Sequence, residues 1–278
     1  MNAVVDVAGP DLPLLVLAVV AAGAFGAIIG SFLNVVIHRV PRGESVVSPP
    51  SACPGCGAAI RARDNVPVLS WLLLRGRCRD CGEPISPRYP LVELATALAF
   101  AGVVAAVLTT GPTPWVLPAL LYLAAVSIAL SLIDVDVRRL PDAIVLPSYP
   151  VMLVLLAIAS AATGDWWALG RAAIGAVASF AFFYLLALLY KGGMGFGDVK
   201  LAGVLGTALA WYGWAHLVVG TFLGFLLGGV VGIALIALRL GNRKTMIPFG
   251  PYMIVGAWLA IGFGGGIADA YLRTAGLR

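Results

Sequence analysis

The feature that most constrains this chain is a set of long stretches with no Asp, Glu, Lys or Arg: 12–37, 94–133, 143–164, 172–190, 201–238 and 245–268. Each is long enough to cross a bilayer, where about 20 apolar residues are needed. Two are long enough to cross twice. The run 94–133 is interrupted by TTGPTP at 109–114, and the run 201–238 by WYGW at 211–214. Glycine and proline at those points end helices and turn the chain. Counting each divided run as two gives about eight transmembrane helices, the shortest being the sixth, near 198–212. With 61% apolar and 11% charged residues, the chain has too little polar surface for a soluble domain. The expected fold class is therefore all-α, a polytopic integral membrane protein.

Basic residues orient it. The first long loop, 39–90, holds Arg39, Arg42, Arg61, Arg63, Arg75, Arg77, Arg79 and Arg88. Arg138 and Arg139, then Lys191 and Lys200, then Arg239, Arg243 and Lys244 return to the same side at every second connection. Only Arg171, Arg273 and Arg278 of the eighteen basic residues fall opposite. The positive-inside rule makes the crowded side cytoplasmic and points both termini outward. Topology thus accounts for the net charge of +5, with no nucleic-acid partner required. The N-terminal stretch lacks the basic n-region of a cleavable signal, its first charges being Asp6 and Asp11, and is read as a retained helix. The expected organisation is an N-terminal segment and first span (1–38), a cytoplasmic loop (39–90) and a seven-helix membrane domain (91–278).

Glycine is abundant, with 34 copies. Gly26 with Gly30, and Gly224 with Gly228 and Gly232, form small-residue stripes that let membrane helices approach closely. A homodimer interface is the alternative use of such stripes.

All four cysteines lie in the 39–90 loop, as Cys53-x-x-Cys56 and Cys78-x-x-Cys81 with twenty-one residues between the pairs. Two such knuckles can bring four thiolates around one tetrahedral zinc. Gly57 and Gly82 directly follow the second cysteine of each pair and permit a tight turn. Disulfides are the rival reading, but a cytoplasmic loop is a reducing environment. A thioredoxin-like redox pair would need only one motif and a βαβ setting. Four thiolates close the coordination shell, so the zinc is expected to be structural.

Carboxylates near membrane depth are expensive and functional by default. Asp134 ends the third span and Asp198, within the GFGDVK segment at 195–200, opens the sixth. Both fall at the cytoplasmic ends of their spans, so they share a depth. Two carboxylates close enough to share one proton can divide the work of an aspartyl protease: the ionised one deprotonates water and the protonated one protonates the peptide carbonyl. Gly195 and Gly197 leave room for a substrate backbone. Lys200 and Glu93 are candidate supporting residues. Asp142, after Pro141, reads as a helix cap, and Asp136 lies about 200° around a helix from Asp134 and cannot share its partner. Asp269 reads as a solvated helix end, and neither His38 nor His216 belongs to a triad-like pattern. An aspartate pair could also serve a proton-coupled transporter, but no inverted repeat is visible.

Taken in order, several segments resemble the bacterial prepilin peptidases, also called type IV leader peptidases. They are GSFLNVVIHRVP at 30–41, the four cysteines, SPRYPLVE at 86–93, LID at 132–134 with LPD at 140–142, GFGDVKL at 195–201 and IPFGP at 247–251. The resemblance implies a bifunctional enzyme of the bacterial cytoplasmic (inner) membrane. Family members cut the short basic leader from prepilins or pseudopilins at the cytoplasmic face, after a glycine. Most then N-methylate the new N-terminus with S-adenosylmethionine. The family's catalytic aspartates correspond to Asp134 and Asp198, and the tetracysteine loop accompanies its longer, methylating members. Cleavage without methylation, a non-catalytic membrane scaffold carrying a zinc module, and a presenilin-like protease of broad helix substrates stand as alternatives.

Overall fold

The computed structural model describes residues 11–190, 194–240 and 247–277. Lys191, Arg243, Lys244 and Arg278, used to orient the chain, lie outside the described residues, as do Asp6 and the first two residues of the run at 245–268. Among the described residues the regular structure is entirely helical, apart from two isolated β-bridges. Seven helices among the described residues are long and apolar enough to cross a membrane. The protein is an all-α polytopic membrane protein, and it divides into two compact units, Met1–Ala129 and Leu130–Arg278.

In the first unit, α1 (Leu12–Arg39) packs along α3 (Arg88–Thr110). Glycine sets the separation: a Cβ on Gly30 would fall 2.7 Å from the Cα of Glu93, and one on Gly26 would fall 2.7 Å from the carbonyl oxygen of Thr96. The Asn34 Nδ2 amide donates to the Tyr89 carbonyl at 3.1 Å, fixing the membrane exit of α1 against the start of α3. Between these helices lie 3₁₀ turns at Val40–Arg42 and Ala62–Asp64, the short α2 (Leu69–Leu73), and the two cysteine knuckles. The expected break at 109–114 is present. Gly111 leaves the helical region, and the Thr113 hydroxyl accepts from the Trp115 N–H at 3.4 Å to start the turn leading into α4 (Leu117–Val137).

The second unit takes the end of α4 together with α5 (Asp142–Thr163), α6 (Trp166–Leu189), α7 (Phe196–Tyr212), α8 (Trp214–Ala237) and α9 (Gly250–Thr274). Gly164 at φ +74° stops α5, and the Asp165 carboxylate caps α6 by accepting from the Ala168 N–H at 2.9 Å. The expected short sixth span is α7. At 17 residues it falls at the lower limit of bilayer-crossing length. Thirteen of those residues are buried, because α5, α6, α8 and α9 all pack against it. Beyond the charged first turn that carries Asp198 and Lys200, its sequence is apolar on every face for that reason, a helix surrounded by helices.

Both ends of α7 are held by side chains. At its C-terminal end the Arg171 guanidinium donates to the carbonyls of Ala210 and Trp211 at 3.3 and 3.0 Å, satisfying acceptors the helix cannot. The Trp211 indole N–H donates to the Ser160 hydroxyl at 3.1 Å. The stripe Gly224, Gly228 and Gly232 faces Met253, Phe249 and Ile247, so it serves packing within the chain.

Candidate active site and metal centre

The knuckles are two copies of one local design. In the first, the Cys53 N–H donates to the Ala58 carbonyl and the Gly57 N–H to the Cys53 carbonyl, both at 2.9 Å, beneath the bridge between Ala52 and Ala59. In the second, the Cys78 N–H donates to the Glu83 carbonyl at 2.8 Å and the Gly82 N–H to the Cys78 carbonyl at 3.0 Å, beneath the bridge between Arg77 and Pro84. Gly57 and Gly82 have φ of +72° and +75°, the left-handed turn anticipated for them.

The four sulfurs lie within 4.8 Å of one another, with Cys53 and Cys81 at 3.7 Å. A tetrahedral ion with bonds of about 2.3 Å needs sulfurs roughly 3.8 Å apart. No disulfide joins them. The N–H groups of Cys56 and Gly55 bring the Cys53 thiol down to about 7. Cys81, although the Glu83 N–H favours its thiolate, is pushed up to about 12 by loss of hydration and by the three neighbouring sulfurs. Four sulfurs this close can all carry charge only around a cation. The cluster therefore fits a metal ion. Two ion pairs brace it, Arg79 to Asp64 at 2.6 Å and Arg61 to Asp80 at 2.7 Å. The first holds the Asp64 carboxyl below the usual carboxylate range.

Asp134 and Asp198 are both buried, at 5% and 9% exposure, at one end of the second unit. Asp198 sits in the first turn of α7, where its N–H donates to the Gly195 carbonyl at 3.0 Å and its Oδ2 accepts from the Gly195 N–H at 3.3 Å. That reciprocal bonding fixes the carboxylate at a helix N-terminus, where the backbone dipole favours negative charge. Asp134, in the last turn of α4, accepts at Oδ2 from the Gly250 N–H at 3.0 Å, across 116 residues of sequence. Each carboxylate thus has one oxygen on a backbone N–H of a glycine.

Leu140 joins the two halves. A Cβ on Gly197 would lie 3.0 Å from the Cβ of Leu140, and one on Gly250 would lie 3.5 Å from its Cδ2. The same atom on Gly250 would lie 2.9 Å from Asp134 Oδ2. Glycine at 197 and 250 is what lets the strands of chain beside the two carboxylates converge on one leucine.

The other expected residues fall as follows. Lys200 reaches the Asp142 carboxylate at 2.5 Å, and its ammonium lies 4.8 Å from the Phe196 ring centroid. The Tyr149 hydroxyl donates to the Lys200 carbonyl at 2.7 Å. Asp142 is therefore an ion-pair partner of α7; the N-cap position of α5 is Pro141, and Asp142 is the first residue of the helix, which departs from the cap reading. A cap was expected because proline precedes it; the helix begins one residue earlier than that reading assumed, and the carboxylate meets the ammonium of Lys200. Glu93 is buried in the first unit, where its Oε2 accepts from the Val68 N–H at 2.7 Å. Gly250, Leu140 and Tyr149 were not singled out from the sequence. Gly250 had a signal, since it lies in the IPFGP segment, but nothing local tied that segment to Asp134.

The family described as "Bacterial Peptidase A24 N-terminal domain" matches residues 24–107, and the "Type IV leader peptidase family" matches residues 121–233. Proteins described as "Prepilin leader peptidase/N-methyltransferase" are similar over nearly the whole chain. That of Aeromonas hydrophila is 41% identical, covering 90% of this chain and 92% of its own. That of Pseudomonas aeruginosa is 39% identical over 91% and 93%, and that of Burkholderia pseudomallei strain 1026b is 36% identical over 86% and 83%. No solved structure matches.

Proposed function

Because the chain belongs to the type IV leader peptidase family, we propose that it removes the basic leader from prepilins or pseudopilins with Asp134 and Asp198 as its catalytic pair. It is a multi-pass membrane protein, and the bias of basic residues toward one set of loops supports a site at the cytoplasmic face of the inner membrane. The carrying observation is that two buried carboxylates are each held by one glycine N–H, while Gly197 and Gly250, the glycines beside them, both pack against Leu140. Burying two carboxyl groups together is costly, and a scaffold would have no use for it.

One carboxylate takes a proton from water. The hydroxide formed adds to the peptide carbonyl carbon, while the protonated partner gives its proton to the carbonyl oxygen. Collapse then breaks the C–N bond and a proton passes to the departing amine. The pair acts as a unit, so acid and base are not assigned to separate residues. Lys200, Asp142 and Tyr149 hold the first turns of α7 against α5, keeping Asp198 at a fixed distance from the end of α4.

Cys53, Cys56, Cys78 and Cys81 would hold a zinc ion, whose closed shell braces the loop and takes no part in the chemistry. Methylation of the new N-terminus with S-adenosylmethionine is proposed from the name shared by the relatives and from the tetracysteine loop. The small cavity lined by Ser179, Phe183, Gly206, Leu209 and Met253 is about 20 Å³, room for about one water, and does not fit that cofactor. The glycine stripes are occupied within the chain, so the proposal invokes no dimer.

The test is incubation of the purified protein in detergent with a prepilin, with and without S-adenosylmethionine, and the product mass read by mass spectrometry. A product trimmed after a glycine supports the peptidase, and an added methyl group supports the second activity. Trimming without methylation in the presence of the methyl donor leaves a peptidase alone. An uncut prepilin removes the proposal.

A further inference from the structure

In a water-facing module the apolar side of a helix turns inward, but α2 in the cysteine loop does the reverse. Its buried residue is Ser70, whose hydroxyl donates to the Arg63 carbonyl at 3.1 Å and accepts from the Val66 N–H at 3.1 Å. Trp71 faces the second knuckle, its indole N–H donating to the Ile85 carbonyl at 3.0 Å and its ring lying against Gly76. Leu69, Leu72 and Leu73, spaced i, i+3 and i+4 on the other face, are 52%, 58% and 73% exposed. Val66 extends the same apolar surface.

The depth of that surface is fixed by one hydrogen bond. Val68, the residue before α2, donates its N–H to Glu93, and Glu93 lies about 7.5 Å along α3 from its first residue, Arg88. Val68 adopts φ +60°, in a tight turn closed by the Leu69 N–H donating to the Pro67 carbonyl at 2.6 Å, and that turn aims its own N–H at Glu93. Because α3 is a membrane-spanning candidate from Arg88 onward, α2 is tied beside the first two turns of a span rather than raised above them. Leu91, Leu94 and Leu98 on α3 are themselves exposed, as lipid-facing residues are.

Charge completes the pattern. The loop carries eight basic residues against four acidic ones. Two of the acids are taken by Arg61 and Arg79, whereas Arg75 and Arg77, exposed next to the leucines, make no ion pair among the described residues. Apolar residues on one face and arginines at its edge are the make-up of a segment lying in a membrane interface.

We propose that α2 is an interfacial membrane anchor. Its leucines enter the boundary between headgroups and acyl chains beside α3, and Arg75 and Arg77 hold anionic lipid headgroups. The occupant of the exposed face is lipid, and the metal-binding loop lies against the bilayer rather than standing in water.

The test places the photo-crosslinking residue p-benzoylphenylalanine at Leu73, at Leu98 as a lipid-facing reference, and at Arg61 as an aqueous reference. The full-length protein is reconstituted in liposomes of phosphatidylcholine alone or with added phosphatidylglycerol, and adducts are mapped by mass spectrometry. The expected result is a lipid adduct at Leu73 comparable to that at Leu98, with little at Arg61. Phosphatidylglycerol should raise the yield at Leu73 several-fold, and Arg75→Gln/Arg77→Gln should abolish that increase. Adducts from Leu73 to residues 130–278, to an added prepilin, or to nothing while Leu98 labels lipid would each overturn the proposal.

Discussion

The two chemically active regions are built by opposite means. The cysteine cluster is made from turns in which every hydrogen bond spans a handful of residues, repeated once, and it lies among charged side chains. The aspartate pair is made from two or three helices remote in sequence, and each carboxylate is fixed by a backbone N–H in a nearly dry interior. A cluster of thiolates needs a cation to exist, whereas the carboxylate pair needs only helices that cannot move apart. The loop should therefore depend on metal, and the second unit on packing.

The largest effect that could break this contrast is metal removal. Structural zinc contributes roughly 10–16 kcal/mol in isolated fingers, so a chelator, or Cys53→Ser/Cys78→Ser, should collapse amide protection across residues 51–86. Hydrogen exchange should show α7 unchanged in the same sample. Loss of protection in α7 together with the loop would mean the two regions do not stand on separate supports.

Next in size is Gly250→Ala. Its Cβ would come 2.9 Å from Asp134 Oδ2, so the carboxylate or α9 must shift. A displacement of about 1 Å at a catalytic group can cost about 100-fold, and prepilin cleavage should fall by that order while zinc content stays constant.

Lys200→Met should be milder. It removes the ion pair with Asp142 but keeps most of the side-chain volume over Phe196. Partly exposed pairs contribute about 1 kcal/mol or less, so kcat should drop several-fold with KM little changed. Asp142→Asn should match it, and the double variant should be no worse than either. The smallest effect belongs to Asp64→Asn, which removes the carboxylate facing Arg79. Exchange in the 61–80 segment should quicken slightly, with cleavage unchanged.

Legibility in the sequence followed the same division. The metal cluster could be read from spacing alone, because a CxxC turn specifies itself within six residues. The spans were equally legible as apolar runs, and α7 was found despite its length because the WYGW turn at 211–214 divides the run that holds it from α8. Asp134 and Asp198 stood out as charges in apolar surroundings. What could not be read was the convergence on Leu140 and the bond from Gly250, because helix crossing is decided by packing between segments more than a hundred residues apart. Asp142 was read as a cap for the same reason: its partner, Lys200, is 58 residues away. The outward leucines of α2 carried no warning either, since a five-residue helix has too short a pattern to show which face is inside.

The central claim is that Asp134 and Asp198 work as one unit. Prepilin cleavage by Asp134→Asn, Asp198→Asn and the double variant, each checked for intact helical content and zinc loading, tests it most directly. The account predicts that each single variant loses on the order of 10³-fold or more, and that the double variant is no worse than either single one. Either Asn variant cutting at the wild-type rate would contradict it, and the aspartates would then be buried for a reason other than catalysis.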